Sequence, residues 1–188
     1  MGADIYGYST GFVDYPNRLA MTLFFPGCNL SCPYCYNRDV VESKEGLVNI
    51  GQALSEIERA EENMNMKLGI VFSGGEPCVH PRFGDIVDLF QDRPLALHTN
   101  GLAPFPDAFD SIVLSLKTTC DGIRDLAAYR EHMCHVLARS FTASKKELRV
   151  VNAQPGHSER TDTLLALADV LTEHSWRINI VEPFKRSF

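Results

Sequence analysis

The 188-residue sequence predicts an α/β fold, a partial (β/α)6 barrel with parallel strands inside and helices outside, on three observations. Short apolar runs alternate with amphipathic stretches, six such alternations can be counted, and the chemically distinctive residues follow the carboxyl ends of the runs. A complete eight-fold barrel takes about 250 residues, so closure must be incomplete. Parallel strands need crossover connections, which are right-handed in nearly all cases. No Pro/Ser-rich linker or internal repeat divides the chain, and residues 1–188 are expected to form a single domain.

The first predicted strand is Leu19 to Phe25, bulky and apolar, broken by Pro26-Gly27. Asn49 to Met66 reads as a helix, with Leu54, Ile57 and Met64 at helical spacing and Glu56, Glu58, Glu61 and Glu62 mostly on the other face. Leu68 to Phe72 is a short strand ended by Ser73-Gly74-Gly75. Phe83, Ile86, Val87 and Phe90 mark the second helix, and Leu95 to His98 the third strand, running into Thr99-Asn100-Gly101. Ile112 to Leu116 is the fourth strand, and the helix after it places Ile123, Leu126, Tyr129, Met133 and Leu137 on one side. Leu148 to Val151 and Ile178 to Val181 supply two more strands around a helix containing Leu164, Leu165, Ala168 and Leu171.

With 45% hydrophobic and 22% charged residues, the chain can bury a sizeable core and is neither disordered nor of low complexity. A net charge of -6 offers no basic footprint for nucleic acid, whose non-specific binding rests on clustered Lys and Arg. No apolar run approaches the roughly 20 residues of a membrane helix, and the start lacks the pattern of a secretory signal. The expectation is a cytoplasmic protein with no nucleic-acid or membrane partner. Six cysteines in such a setting read as reduced thiols for metal or redox chemistry rather than as disulfides.

Cys28-Asn-Leu-Ser-Cys32-Pro-Tyr-Cys35 places three thiols in a loop of eight residues, close enough to converge on one metal centre. Three thiolates suit iron–sulfur clusters or zinc. A structural zinc site normally closes with two pairs of ligands, and no second pair is present, although His80 or Cys78 could serve as a fourth ligand. Three cysteines around four irons leave one iron without a protein ligand, where a small molecule can bind. Cys134 reads as core packing, and Cys78 and Cys120 lack the paired spacing of a second cluster.

The cysteine spacing, with the aromatic Tyr34 before the last cysteine, resembles the radical S-adenosylmethionine superfamily. The resemblance implies a 4Fe-4S cluster on Cys28, Cys32 and Cys35, with S-adenosyl-L-methionine on the open iron. It further implies one-electron cleavage of that cofactor to a 5′-deoxyadenosyl radical. Gly74-Gly75-Glu76-Pro77 resembles the family's second motif, which holds the methionine ammonium, and Thr99-Asn100-Gly101 its Thr-Asn-Gly element, with Asn100 a cofactor contact. By the same resemblance Lys117 reaches the methionine carboxylate, and Arg149 and Ser115 belong to the cofactor site.

Gly11-Phe-Val-Asp-Tyr-Pro-Asn-Arg-Leu, Phe24-Phe-Pro-Gly-Cys28 and Cys35-Tyr-Asn37 look like the signature of glycyl-radical-enzyme activases. Within that group the chain is most similar to activators of anaerobic ribonucleoside-triphosphate reductase. This implies two partners, a glycyl radical enzyme whose backbone glycine loses a hydrogen, and a one-electron donor such as flavodoxin or ferredoxin. The chain departs from the group at Tyr36, where His is usual, and at Asn17, where Gly is usual. His98 and Ser115 replace two Asp residues that hold a monovalent cation in pyruvate formate-lyase activases, and are expected to hydrogen-bond their surroundings directly. Two alternatives stay open: a small-molecule radical enzyme such as 7-carboxy-7-deazaguanine synthase, and a non-catalytic zinc- or cluster-binding module.

Overall fold

Among the described residues seven strands lie side by side in chain order: β1 (Gly7–Gly11), β2 (Ala20–Phe25), β3 (Gly69–Gly74), β4 (Leu95–Thr99), β5 (Ser111–Ser115), β6 (Lys145–Val151) and β7 (Arg177–Val181). From β2 to β7 every neighbouring pair is parallel, and β1 runs antiparallel to β2. The structure, a computed structural model, describes residues 4–151 and 157–181. Helices α1 (Arg38–Glu42), α2 (Ile50–Met64), α3 (Phe83–Asp88), α4 (Leu126–Leu137), α5 (His157–Ala166) and α6 (Ala168–Glu173) fill the crossovers except that from β4 to β5, where the expected strand–helix alternation is interrupted by a helix-free loop. A sheet whose parallel order is the chain order is wound one way throughout, as in a (β/α) barrel.

The side-chain period of two divides each strand between two environments. Leu23, Phe72, Leu97, Leu114 and Leu148 join the helices in the main core, where Phe72 meets Phe83, Phe90 and Phe109 edge to face. Such ring pairs add about 0.5–1.5 kcal/mol each beyond the area they bury. Phe24, Ser73, His98, Ser115, Arg149 and Val181, one from each parallel strand, point the other way and line a single cavity on the concave side.

The amino-terminal end of the concave side is filled by the segment between β1 and β2. Tyr15 packs against Ala20, Val71 and Ala96, and a β-carbon at Gly69 would lie 2.9 Å from the Tyr15 ring. Asp14 accepts the Thr22 hydroxyl at 2.7 Å, and Lys145 Nζ donates to the Pro16 carbonyl at 3.3 Å. Asn17 holds φ of 61°, the left-handed region, which accounts for an Asn where Gly is usual, since Asn tolerates that region best among residues with a side chain.

Several expectations are corrected. Strand β1 was not anticipated, because Gly-Tyr-Ser-Thr-Gly is a largely exposed edge without apolar alternation. The last helix is two, divided at Leu167, and Leu165 is exposed. Ile123 precedes α4, which starts at the Asp125 cap, where the carboxylate accepts from Ala127 N and Ala128 N at 3.0 Å each. Met64 is exposed, whereas Glu61 of α2 is buried. Its carboxylate accepts from Arg93 Nε and Nη2, both at 3.0 Å, and from Leu68 N at 2.9 Å. Against the burial that would raise it, these partners hold Glu61 below the usual carboxylate range.

Candidate active site

Carboxyl-end loops of β2, β3, β4 and β5 converge over the concave side. The loops after β2 and β3 are joined backbone to backbone: Gly75 N donates to Phe25 O and Glu76 N to Gly27 O, both at 2.9 Å. The approach needs glycine, because a β-carbon at Gly75 would lie 1.8 Å from Gly27 O. Gly74, at φ of 109°, occupies the left-handed region as well.

Glu76 is buried and its carboxylate ties these loops to the next. Oε1 accepts the Thr99 hydroxyl at 2.6 Å and Cys78 N at 3.2 Å, and Oε2 accepts Asn100 N at 2.7 Å. Asn100 Nδ2 in turn donates to Asn29 Oδ1 at 2.7 Å, reaching the cysteine loop. Glu76 therefore organises three loops through its side chain.

Every residue expected to hold the cluster or the cofactor borders one cavity of about 340 Å³: Cys28, Cys32, Cys35, Tyr34, Gly74, Gly75, Glu76, Asn100, Ser115, Lys117 and Arg149. All six cysteines of the chain are free thiols. Burial pushes the Cys28 and Cys32 thiols up, and Lys117 partly offsets the effect at Cys32. A cation beside a thiol wall favours the thiolates that a cluster requires. Among the described residues no three His, Cys, Asp or Glu side chains form a group for a single metal ion. A cluster asks less of the protein, since each thiolate meets a different iron. The thiols, the neighbouring cation and the glycine-lined wall fit a cluster with a small ligand on its open iron.

Arg149 and His98 stand deeper on the concave face. Arg149 Nε donates to Glu147 Oε1 at 3.2 Å, and Asn179 Nδ2 donates to the same oxygen at 3.1 Å. His98 Nδ1 lies 3.5 Å from Ser73 Oγ, while its Nε2 is sealed without a partner among the described residues. Burial, with Arg149 adding to it, pushes the His98 imidazole down to about 4, so it is neutral at pH 7. Cys134 packs against the core, partly buried.

Two residues at this site were missed in the sequence. Asp121 lies in a single 3-10 turn over Thr119–Asp121, and Arg160 in α5 is fully buried against it. Arg160 Nη2 reaches Asp121 Oδ2 at 2.8 Å and Oδ1 at 2.9 Å. Thr118-x-x-Asp121 is a capping box, a pattern legible in the sequence, whereas nothing around Arg160 marks it as interior.

The fold and this site define a class: residues 22–178 match the Radical SAM superfamily. The chain belongs to that superfamily, whose members use a 4Fe-4S cluster and S-adenosylmethionine. It is 30% identical over 130 residues, 63% of this chain and 52% of the relative, to a Methanocaldococcus jannaschii protein named for glycyl-radical enzyme activation. It is 33% identical to the Clostridium pasteurianum pyruvate formate-lyase-activating enzyme, over 48% of this chain and 38% of that one. It is 31% identical to Haemophilus influenzae 7-carboxy-7-deazaguanine synthase, over 50% of this chain and 42% of that one. The chain thus spans about half or less of these relatives. Among solved structures, Streptococcus suis SuiB bound to S-adenosylmethionine superposes with a TM-score of 0.59 at 16% identity, covering 88% of this chain and 43% of SuiB. That likeness concerns the fold.

Proposed function

We propose that this chain is a glycyl-radical-enzyme activase whose partner is anaerobic ribonucleoside-triphosphate reductase. The observation that carries the proposal is the convergence of every expected cluster and cofactor contact on one cavity above the strand ends. One relative is named a glycyl-radical enzyme activating enzyme and another a pyruvate formate-lyase-activating enzyme, which supports a partner enzyme as the substrate, with a backbone glycine as hydrogen donor. When bound, the cluster and S-adenosylmethionine supply the 5′-deoxyadenosyl radical by one-electron reductive cleavage.

The chain's own residues hold and orient. Cys28, Cys32 and Cys35 bind the cluster as thiolates. The backbone at Gly74 and Gly75 admits the methionine ammonium closely, and Glu76, saturated by Thr99, Asn100 and Cys78, keeps that backbone in place. Lys117 and Arg149 supply positive charge for the methionine carboxylate, with Asn100, Ser115 and Tyr34 bordering the same cofactor. The electron comes from a flavodoxin or ferredoxin, and the protein works in the cytoplasm as a single domain.

The test is to mix the anaerobically reduced protein and S-adenosylmethionine with the reductase and record electron paramagnetic resonance spectra. A glycyl doublet, with 5′-deoxyadenosine released, is expected. The similarity to 7-carboxy-7-deazaguanine synthase favours one second reading, a small-molecule radical enzyme. Turnover of a pterin-like compound without a doublet would replace the first reading by the second. A colourless zinc protein that leaves S-adenosylmethionine intact would overturn both.

A further inference from the structure

Arg160 is nearly the least exposed charged side chain of the described residues, at 1% exposure. Its guanidinium forks onto both carboxylate oxygens of Asp121, which is itself 0% exposed. The same Nη2 donates to the Tyr34 hydroxyl at 3.1 Å, and the Arg160 Cζ stands 5.1 Å from the Tyr34 ring centroid. Lys117 Nζ lies 5.8 Å from that centroid. The ring next to Cys35 therefore has two cations within about 6 Å, one buried and one at the cavity wall.

Asp121 extends the contact in two directions. Its Oδ2 accepts Thr118 N at 2.9 Å, fixing the turn that follows Lys117, and its backbone carbonyl faces Cys32 Sγ at 3.9 Å. A second tie, Thr119 Oγ1 to Glu159 Oε2 at 2.5 Å, binds the same turn to α5. One guanidinium thus reaches the cysteine loop and the lysine loop together.

Stability alone does not account for this arrangement. A buried ion pair is often no more stabilising than apolar residues of similar volume. Arg160 Nε, moreover, is buried without a partner among the described residues, a burden that interiors normally avoid. The arrangement places a rigid planar fork at one point, which is what registration of two loops requires.

We propose that Arg160 is a positioning residue of the cofactor site, bracing the Cys32–Cys35 segment through Tyr34 and Asp121 against the loop that carries Lys117. The proposal rests on the reading of the three cysteines as cluster ligands, and its test separates the two. Tyr34→Phe deletes the hydroxyl that faces the Arg160–Asp121 pair and leaves that pair intact; Arg160→Lys keeps the charge and loses the fork.

In the anaerobically reconstituted protein, iron content and S-adenosylmethionine affinity are read, the latter from its perturbation of the reduced cluster's paramagnetic spectrum. In the metal-free chain, the rate of Cys32 alkylation by iodoacetamide is read against that of Cys134. Tyr34→Phe is expected to keep its iron and bind S-adenosylmethionine about fivefold more weakly, the value of one hydrogen bond. Arg160→Lys is expected to weaken binding at least as much and to raise the Cys32 alkylation ratio. The double variant should be no worse than Arg160→Lys, because both act through one contact. Affinity of Tyr34→Phe within twofold of the parent, or effects that multiply in the double variant, would overturn the proposal. If Arg160→Lys fails to fold, Tyr34→Phe decides through its Cys32 alkylation ratio in the metal-free chain, which a direct contact of Tyr34 with the cofactor would leave unchanged. If the parent takes up no iron, the cluster reading fails instead, and an unchanged Cys32 alkylation ratio in both variants would overturn the bracing role separately.

Discussion

Gly75 and Gly27 meet so closely that a β-carbon on the first would sit 1.8 Å from the carbonyl oxygen of the second. The obstacle is backbone in a segment already hydrogen-bonded to its neighbour, so no rotamer relieves it. Gly75→Ala should cost ~3 kcal/mol or more, at the upper end for overpacking, because the two loops must part. Denaturant titration of the metal-free chain measures the loss, and reconstitution should show little bound iron. An alanine variant of parental stability would contradict the packing.

The cysteines divide into ligands and bystanders, and the division is open to chemical analysis. Cys28→Ala, Cys32→Ala and Cys35→Ala should each abolish stable cluster binding, while Cys134→Ala, on the core side, should keep its iron. Loss of the cluster in Cys134→Ala would show the ligand set to be wrong.

Lys117 borders the cavity and lies close enough to Cys32 to favour its thiolate. Lys117→Ala should weaken S-adenosylmethionine binding about tenfold, or ~1.4 kcal/mol, as expected for loss of one charged hydrogen-bond donor, with iron content retained. Equilibrium binding to the reconstituted protein distinguishes this from a cluster defect.

Acid should find a weak point at His98. The unfolded chain takes up a proton near pH 6.5, whereas the folded imidazole resists until about 4. In that window the unfolded state binds more protons, so stability is full above it and falls as pH drops, by at most ~3 kcal/mol. His98→Gln should flatten this part of the curve. Chemical unfolding at pH 7 and pH 5 measures it, and an equal drop in both proteins would remove His98 as the cause.

The motifs were legible because their chemistry is local: three thiols in one loop, glycines where backbones touch, and a lysine at a strand end. The parallel strands β2 to β5 were legible for the same reason, each carrying an apolar run long enough to declare itself, whereas only the apolar end of β6 was read, its first residues being Lys145, Lys146 and Glu147. What escaped depends on distant partners. Glu61 shares a helix pattern with exposed acids, and its burial depends on Arg93, brought from the turn before β4, and on Leu68 N. Arg160 sits in a polar helix and is drawn inward by Asp121. Strand β1 has no apolar face to advertise, since it adds to an edge through backbone pairing.

The packing of Tyr15 over Gly69 makes two positions, far apart in the chain, answerable to each other. With the Tyr15 ring where it is, a β-carbon at position 69 would lie 2.9 Å from the ring and 3.0 Å from Arg18 Cδ, so a residue larger than glycine needs these side chains to shift. Drift through sequence space must therefore take these positions in order, trimming the aromatic at 15 before anything larger than glycine can settle at 69. A library randomised at position 69 alone should return glycine, and one randomised at both should return pairs.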